Sequence, residues 1–144
     1  MIFYEEVHGF ESEDLNAVAQ EVGLALGTEP LDKHNDGYGG DYAVFRPAEG
    51  GELKLYDNQS RMDEEWQEKE YKEFGLILLI EQQDEYADYA AKLEGMKTFK
   101  PTLLYRVELN NDPWVYRKLY ELKPGSLKED LSKPPPNWQA RSQA

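Results

Sequence analysis

The sequence contains no cysteine and only two histidines among its 144 residues. The absence of cysteine excludes disulfides, zinc–thiolate sites and cysteine nucleophiles. Two histidines, His8 and His34, are too few to build a multi-histidine metal site. A chain of this length buries roughly two thirds of its unfolded surface, so it needs neither disulfide nor metal to hold a fold together. We therefore expect a domain that folds without a cofactor.

Long hydrophobic runs are also missing. The longest uninterrupted apolar run covers residues 76–80, whereas a membrane-spanning helix needs about 20 apolar residues. Residues 1–6 have neither the basic nor the apolar region of a secretory signal. We therefore expect a cytoplasmic protein that does not associate with a membrane.

Signatures of enzymes and metal sites are absent from the sequence as well. It has no G-x-S-x-G motif, no phosphate-binding loop and no H-E-x-x-H pair. A calcium loop starting at Asp32 would have Asp36 at its fifth position and Gly37 at its sixth, as such a loop requires. Its twelfth position, however, is Ala43, where a bidentate glutamate is required. We therefore expect neither catalysis nor a metal site.

What the sequence has in excess is negative charge. It carries 29 acidic and 16 basic residues, for a net charge of −13. Residues 123–144 hold four basic and two acidic residues, so this end carries +2 and the remainder −15. Such a body repels nucleic acid and anionic membranes and attracts basic proteins, although the same charge also favours plain solubility.

The change in charge coincides with a change in composition that divides the chain. Residues 134–136 are three consecutive prolines, which favour polyproline II without internal hydrogen bonds. We assign residues 1–122 to a single acidic α+β domain and residues 123–144 to a Pro-rich C-terminal tail.

Two helices are indicated by apolar residues at helical spacing. The first is capped by Ser12, carries Leu15, Val18, Val22 and Leu26 on one face, and ends at Gly27. The second starts at Asp84, carries Tyr89 and Leu93 on its apolar stripe, and ends at Gly95. Strands are predicted over residues 2–7, 41–46, 52–57, 76–80, 102–109 and 114–122.

This order of elements predicts the fold class. Residues 32–40 are interpreted as a loop, and residues 58–74 as a charged insert that is either a short exposed helix or an ordered loop. The remaining elements predict an α+β domain whose antiparallel or mixed sheet carries both helices on one face. The arrangement is that of a ferredoxin-like split β-α-β unit with additional strands.

The charged insert supplies the main candidate site. Residues 62–73 contain six acidic and two basic residues around two aromatic ones. Aromatic side chains dominate interface hot spots, and surrounding carboxylates accelerate association with a basic partner. We predict a partner-binding surface made of Glu64, Glu65, Trp66, Glu68 and Tyr71, with Tyr38 and Asp41 as secondary contacts. The alternative is a solvated helix stabilised by ion pairs, with Trp66 as a core residue.

A second candidate lies in the glycine-rich stretch before the second strand. Gly37, Gly39 and Gly40 are typical of a turn that needs positive φ. Loops also carry function disproportionately, so His34 and Asp41 are candidates for a small ligand-binding site or an active site, together with Asp36.

A compact acidic α+β domain with an aromatic, acidic insert and no catalytic motif resembles bacterial toxin-immunity proteins. The stretch 38–42, followed by Asp57 and Asn58, is also similar to a pattern in small bacterial domains. The resemblance implies an inhibitor that covers the active site of a basic toxin, often a nuclease, and does no chemistry. The alternatives are a DNA mimic that blocks a nucleic-acid-binding protein, the ligand-binding domain or enzyme described above, and a plain structural or adaptor domain.

Overall fold

The computed structural model describes residues 2–35, 38, 40–60, 64–83, 88–111 and 114–126. Seven strands and two helices form one α+β unit dominated by its sheet. In chain order the elements are β1 (Ile2–Phe10), α1 (Leu15–Leu26), β2 (Leu31–Asn35), β3 (Gly40–Phe45), β4 (Glu52–Asp57), β5 (Leu76–Gln83), α2 (Tyr89–Leu93), β6 (Thr102–Asn111) and β7 (Trp114–Glu121).

The strands lie in the order β2-β3-β4-β5-β1-β6-β7, and every pairing is antiparallel. The first strand of the chain is thus inserted between the fifth and the sixth. This order brings the end of β1, the end of β4 and the start of β5 to the same edge of the sheet, because Phe10 lies opposite Leu76 and Asp57 also lies opposite Leu76. That edge carries the site described below.

Both helices pack into one apolar cluster on one face of the sheet, here called the helix face. Alternation along β4 and β5 aims Leu53, Leu55, Leu78 and Ile80 at this face, where all four are fully buried. Neither α1 nor α2 is long and apolar enough to cross a membrane, in the part of the chain that is described.

The first helix forms where its periodicity predicts, but its N-cap lies two residues later in the chain than predicted. Asp14, not Ser12, is the N-cap, and its carboxylate accepts the Ala17 backbone N–H at 3.1 Å. The Ser12 hydroxyl instead accepts the N–H of Asp14. Gly27 ends the helix with φ 70°, a conformation that costs glycine little. α1 is also tied to the chain before β6, because the Glu21 carboxylate accepts the N–H of Thr98 at 2.8 Å.

The opposite face of the sheet, here called the second face, is covered by residues 58–60 and 64–75, here called the 58–75 segment. Tyr71 and Phe74 from this segment pack against Val7, Ile77 and Leu104. In its described residues the segment is a loop with one 3₁₀ turn (Lys69–Tyr71) and no α-helix, which favours the predicted ordered loop over the predicted short helix.

Two predictions about local structure are wrong or incomplete. Residues 32–40 are not all loop, because β2 (Leu31–Asn35) pairs along β3 as an edge strand. All five of its residues are exposed, so it lacks the alternation by which a half-buried strand is detected. α2 begins at Tyr89 with Asp88 as its cap, and the predicted start at Asp84 lies outside the described residues.

The hairpin predicted over residues 102–122 is confirmed as β6 and β7. Of the tail, residues 123–126 are described, and they contact the body. The Lys123 backbone N–H donates to the Tyr71 hydroxyl at 3.2 Å, and the Ser126 hydroxyl lies 2.7 Å from the same oxygen. The rest of the tail, including Pro134, Pro135 and Pro136, lies outside the described residues.

Candidate functional site

An open groove of about 660 Å³ lies at the edge of the sheet where β1 and β4 end and β5 begins. Three separate parts of the chain form it: the loop between β1 and α1, the end of β4 with the residues after it, and the turn before β5. Five carboxylates and one lysine contribute charge to its lining. The groove residues that matter below are Glu11, Glu13, Asp57, Glu64, Trp66, Lys72 and Glu73.

Asn58 holds this groove in shape. Its side chain is fully buried, and its amide nitrogen donates to the backbone oxygens of Tyr71 and Phe74, each at 2.9 Å. Its amide oxygen accepts the Glu68 N–H at 2.8 Å. The Asn58 backbone also bonds at both its N–H and its carbonyl, to Gly75 and Gln67. One asparagine therefore ties residues 67–75 to the end of β4.

Close backbone packing completes the base of the groove at Gly75. A Cβ atom at this position would lie 2.4 Å from the Ser12 backbone oxygen, so any side chain would push the β1–α1 loop away. The Gly75 N–H donates to the Phe10 carbonyl at 3.0 Å, which fixes the turn before β5 to the end of β1.

The tip of the groove wall is a tight turn with an unusual backbone. Glu64 has φ 63°, a left-handed conformation that costs a residue with a side chain roughly 1–2 kcal/mol. Its N–H donates to the Ser60 carbonyl at 3.0 Å, and Gln59 and Trp66 form an isolated antiparallel bridge across the turn. The turn places the exposed Glu64 carboxylate at the mouth of the groove.

Trp66 gives the groove an aromatic wall that already contacts a cation. The Lys72 ammonium lies 5.6 Å from the centroid of the indole, within cation–π range. On the same side the Lys123 ammonium lies 2.6 Å from the Glu73 carboxylate, and this hydrogen bond lowers the pKa of Glu73. The groove therefore presents carboxylates beside an indole that accepts positive charge.

The structure divides the predicted contact surface among three places. Glu64 and Trp66 line the groove, while Glu65 is exposed beside them. Glu68 turns away from the groove and accepts a hydrogen bond from the Tyr105 hydroxyl on the second face. Tyr71 is only 2% exposed, and its hydroxyl donates to the Leu104 carbonyl. Its assignment as a contact residue is therefore corrected, because an aromatic buried in this way holds the second face together.

The two secondary contact residues do not share one surface. Tyr38 lies on the second face, with its ring 4.7 Å from that of Tyr42 and 5.0 Å from that of Tyr56. Asp41 lies on the side of α1 and is 2.9 Å from His34 Nδ1. The grouping of Tyr38 with Asp41 fails because Tyr38 packs on Tyr42, and Tyr42 and Asp41, adjacent positions of β3, point to opposite faces.

The sequence prediction missed Glu11, Glu13, Asp57 and Glu73 as groove residues. They are far apart in the chain and meet only because β1, β4 and β5 are neighbours. The pair formed by Asp57 and Asn58 after a strand was a visible signal, because such residues often organise a turn through their side chains.

A second, smaller pocket of about 390 Å³ lies between α1 and the β2–β3 edge. It contains the pair formed by His34 and Asp41, along with Asp32 and Lys33. Both members of the pair are largely exposed, at 60% and 85% of their side chains. Asp36, the third residue of this predicted site, lies outside the described residues.

Two buried polar residues of β1 stand apart from both pockets. His8 is 3% exposed, and neither ring nitrogen has a hydrogen-bond partner among the residues that the structure describes. Burial lowers the pKa of His8 to about 4, so the ring is neutral at neutral pH. Burial also raises the pKa of Glu6, although the charge of Arg106 opposes that rise. The described residues contain no group of three His, Asp or Glu side chains arranged to hold a metal ion.

Comparison of the chain with protein-family models, with characterised proteins and with solved structures gives no match. The function must therefore be argued from the groove and its surroundings.

Proposed function

We propose that this protein binds a basic protein through the acidic groove, and that it acts as an inhibitor of the toxin-immunity type by covering the active site of that partner. The observation that carries the proposal is the pairing of an aromatic wall with excess carboxylate in one concave surface. Trp66 is half-buried there and is surrounded by five acidic side chains. Aromatic anchors of this kind dominate binding energy, whereas surrounding charges govern the rate of association and the choice of partner.

The mechanism requires no chemistry from this chain. The net charge of −13 draws a basic protein towards the surface from a distance. A lysine or arginine of the partner then replaces Lys72 over the indole of Trp66, with Glu64 and Glu13 as counter-charges. Because Asn58 and Gly75 fix the groove before the partner arrives, little ordering entropy opposes binding.

Two neighbouring glutamates allow a matched test. Glu64 lines the groove, whereas Glu65 is equally exposed but lies outside the groove lining. We expect Glu64→Lys to abolish capture of the partner from a lysate of the source organism, whereas Glu65→Lys retains it. Both variants change the net charge by the same amount, so a difference between them reports position and not overall electrostatics. Capture is measured by quantitative mass spectrometry at low and at high salt.

A third variant tests the aromatic wall. We expect Trp66→Ala to weaken binding by more than about tenfold, as is typical for a hot-spot tryptophan. Equal losses in the Glu64 and Glu65 variants, or unchanged binding in Trp66→Ala, would count against the groove. A captured protein that DNA displaces would favour the DNA-mimic form of inhibition over occlusion of a toxin active site.

The pocket beside α1 supports a second candidate function, a small ligand-binding site or active site. The supporting observation is the hydrogen-bonded pair of His34 and Asp41, in which a carboxylate orients an imidazole. In this case His34→Ala would remove binding of a small molecule found by a thermal-shift screen, while Glu64→Lys would leave that binding unchanged. A screen without any stabilising compound would reject this candidate.

We also propose that the four central strands β4-β5-β1-β6 form a ferredoxin-like split β-α-β arrangement with β2, β3 and β7 added. What supports this is that β5 and β6 flank β1 and are joined through α2. The proposal requires the β5–α2–β6 crossover to be right-handed in an experimental structure.

A further inference from the structure

The described part of the chain ends beside the acidic groove. Lys123 follows β7, and its ammonium lies 2.6 Å from the carboxylate of Glu73, which lines the groove. Ser126 is the last described residue, and its hydroxyl lies 2.7 Å from that of Tyr71. Glu73 and Tyr71 both belong to the 58–75 segment, which forms one wall of the groove. These contacts therefore fix the point from which residues 127–144 continue.

The next stretch of chain is long enough to reach the groove from that point. Lys133 lies seven residues beyond Ser126, and seven extended residues span up to about 25 Å. The starting point is close to the groove, because Lys123 already contacts Glu73 in its lining. The proline run 134–136 can therefore lie in the groove without any change in the body of the protein.

Charge and chemistry favour this stretch as the occupant of the groove. Residues 133–144 contain two basic residues, Lys133 and Arg141, and no acidic one. Among the described residues the groove lining has five carboxylates, with only Lys72 as a counter-charge. Proline-rich segments dock in aromatic-lined grooves, and they lose little entropy because their backbone is already extended. Trp66 offers the prolines such a wall, and the carboxylates offer counter-charges to Lys133.

We propose that residues 133–138 occupy the acidic groove of their own chain, with the prolines against the Trp66 indole and Lys133 between the Glu13 and Glu64 carboxylates. The tail is thus a built-in competitor that a basic partner must displace. The tether holds the segment at a local concentration on the order of 1 mM, so even a weak contact fills the groove. This inference deepens the proposed function, and it rests on that function in its statement that the tail competes with the partner.

The absence of cysteine allows a spin label to be attached at a single introduced site. The label is placed through Asn137→Cys in the full chain, and the paramagnetic broadening of NMR signals is measured. We expect broadening of the Trp66 indole N–H and of the Glu64 backbone N–H. Lys133→Glu in the labelled chain should reduce this broadening at least about threefold, because an attraction to partly exposed carboxylates becomes a repulsion.

Lys128→Glu is the matched control in the tail. It makes the same change of charge outside the docking segment, so the broadening should remain. On the groove side, Glu64→Lys should reduce the broadening at Trp66, whereas Glu65→Lys should not. Reduction of the label with ascorbate gives the reference spectra, which also verify that each variant is folded.

Two results would overturn docking of the tail in its own chain. One is an absence of broadening at Trp66, or equal losses of broadening in the Lys133 and Lys128 variants. The other is broadening in a mixture of isotope-labelled protein without the spin label and unlabelled protein that carries it, because this would show docking between copies.

Competition with the partner is tested separately by the lysate capture described above. We expect Lys133→Glu to retain about threefold more partner than Lys128→Glu, because a larger fraction of its grooves is vacant. Equal amounts would overturn the competition. Failure of capture in every variant would count against the proposed function alone, because the broadening is measured without any partner and decides by itself whether the tail docks.

Discussion

The two faces of the sheet bury their side chains by different means. Beneath α1 and α2 the strands contribute aliphatic and phenylalanine side chains, which form a layer held together by apolar packing. Beneath residues 58–75 the buried layer contains Tyr56 and Tyr71 and is fastened by the amide of Asn58. The helix face is therefore stabilised mainly by the close packing of apolar side chains, and the second face largely by directional hydrogen bonds.

This difference accounts for the position of the groove. A layer already built on hydroxyl and amide groups accommodates carboxylates beside it more readily than an apolar layer does. The groove adjoins the 58–75 segment, where the Glu68 carboxylate also accepts a hydrogen bond from Tyr105. The smaller pocket with His34 and Asp41 lies beside α1, where both of these side chains are exposed.

The largest expected effect on stability comes from substituting two adjacent leucines, one on each face of the sheet. Leu78 is fully buried on the helix face, and Leu79 is 8% exposed on the second face. We expect Leu78→Ala to lower the free energy of unfolding by about 4 kcal/mol and Leu79→Ala by about 2 kcal/mol, because the first leaves the larger unfilled cavity. Urea unfolding followed by circular dichroism measures both. Equal losses would show that the two layers pack alike.

A comparable loss of stability is expected from removing the Asn58 amide group, the hydrogen-bond donor that fastens the second face. Asn58→Asp keeps the shape of the side chain but places an oxygen against the Tyr71 and Phe74 carbonyls. We expect a loss of about 3 kcal/mol, because two buried acceptors lose their donor and a charge becomes buried. Hydrogen exchange should locate the loosening in residues 64–75. Asn16→Asp, the same change at an exposed position of α1, should cost less than about 0.5 kcal/mol.

The helix face is not wholly apolar, because β1 buries Glu6 and His8 there, and His8 makes stability depend on pH. The pKa of His8 is about 4 in the folded protein, below the value of about 6.5 for an unfolded histidine. The unfolded state therefore binds more protons between these values, and stability falls as the pH drops from about 6.5 towards 4, by up to about 1.4 kcal/mol per pH unit.

We expect His8→Leu to remove this dependence, so that the difference in free energy of unfolding between variant and wild type grows as the pH falls. Glu6 acts in the opposite direction, because its raised pKa makes protonation favour the folded state. The Glu6 carboxylate lies 4.0 Å from His8 Nε2, so the comparison reports His8 together with its effect on Glu6. A difference that does not vary between pH 6.5 and 4 would mean that His8 is solvated in the folded state.

The smallest expected effect concerns the turn at Glu64. Glu64→Gly relieves the left-handed backbone, and we expect it to stabilise the protein by about 1 kcal/mol. The same change removes a groove carboxylate and should weaken binding of the basic partner. A gain in stability combined with a loss of binding would show that the side chain is retained for recognition. Loss of both would show that the glutamate supports the turn itself.

The helix face was predictable because the spacing of apolar residues within each helix or strand already indicates which side is buried. Leu15, Val18 and Val22 recur at helical spacing, and Leu53 and Leu55 alternate along a strand, so α1 and β4 follow from the pattern. The α+β class and the antiparallel sheet with two helices are confirmed. β2 escaped prediction because its five exposed residues have backbone pairing but no apolar pattern.

The groove was predictable only in part. Glu64 and Trp66 stand out in the sequence as an aromatic residue within a run of charge, and they do line one surface. Glu13, Asp57 and Glu73 join them because β1 is inserted between β5 and β6, an order that no local pattern encodes. Tyr71 was misassigned because composition does not distinguish a tyrosine that binds a partner from one whose hydroxyl is used inside the fold.

The tie at Asn58 has a consequence for how this surface can change. The described part of the segment is fastened at Asn58 and again by the bridge between Gln59 and Trp66, and Glu64 and Glu65 lie beyond these ties, exposed to solvent. Substitutions at these two positions should alter the charge in and beside the groove without disturbing strand register. The two positions therefore form an exchangeable recognition element on a scaffold that folds without them.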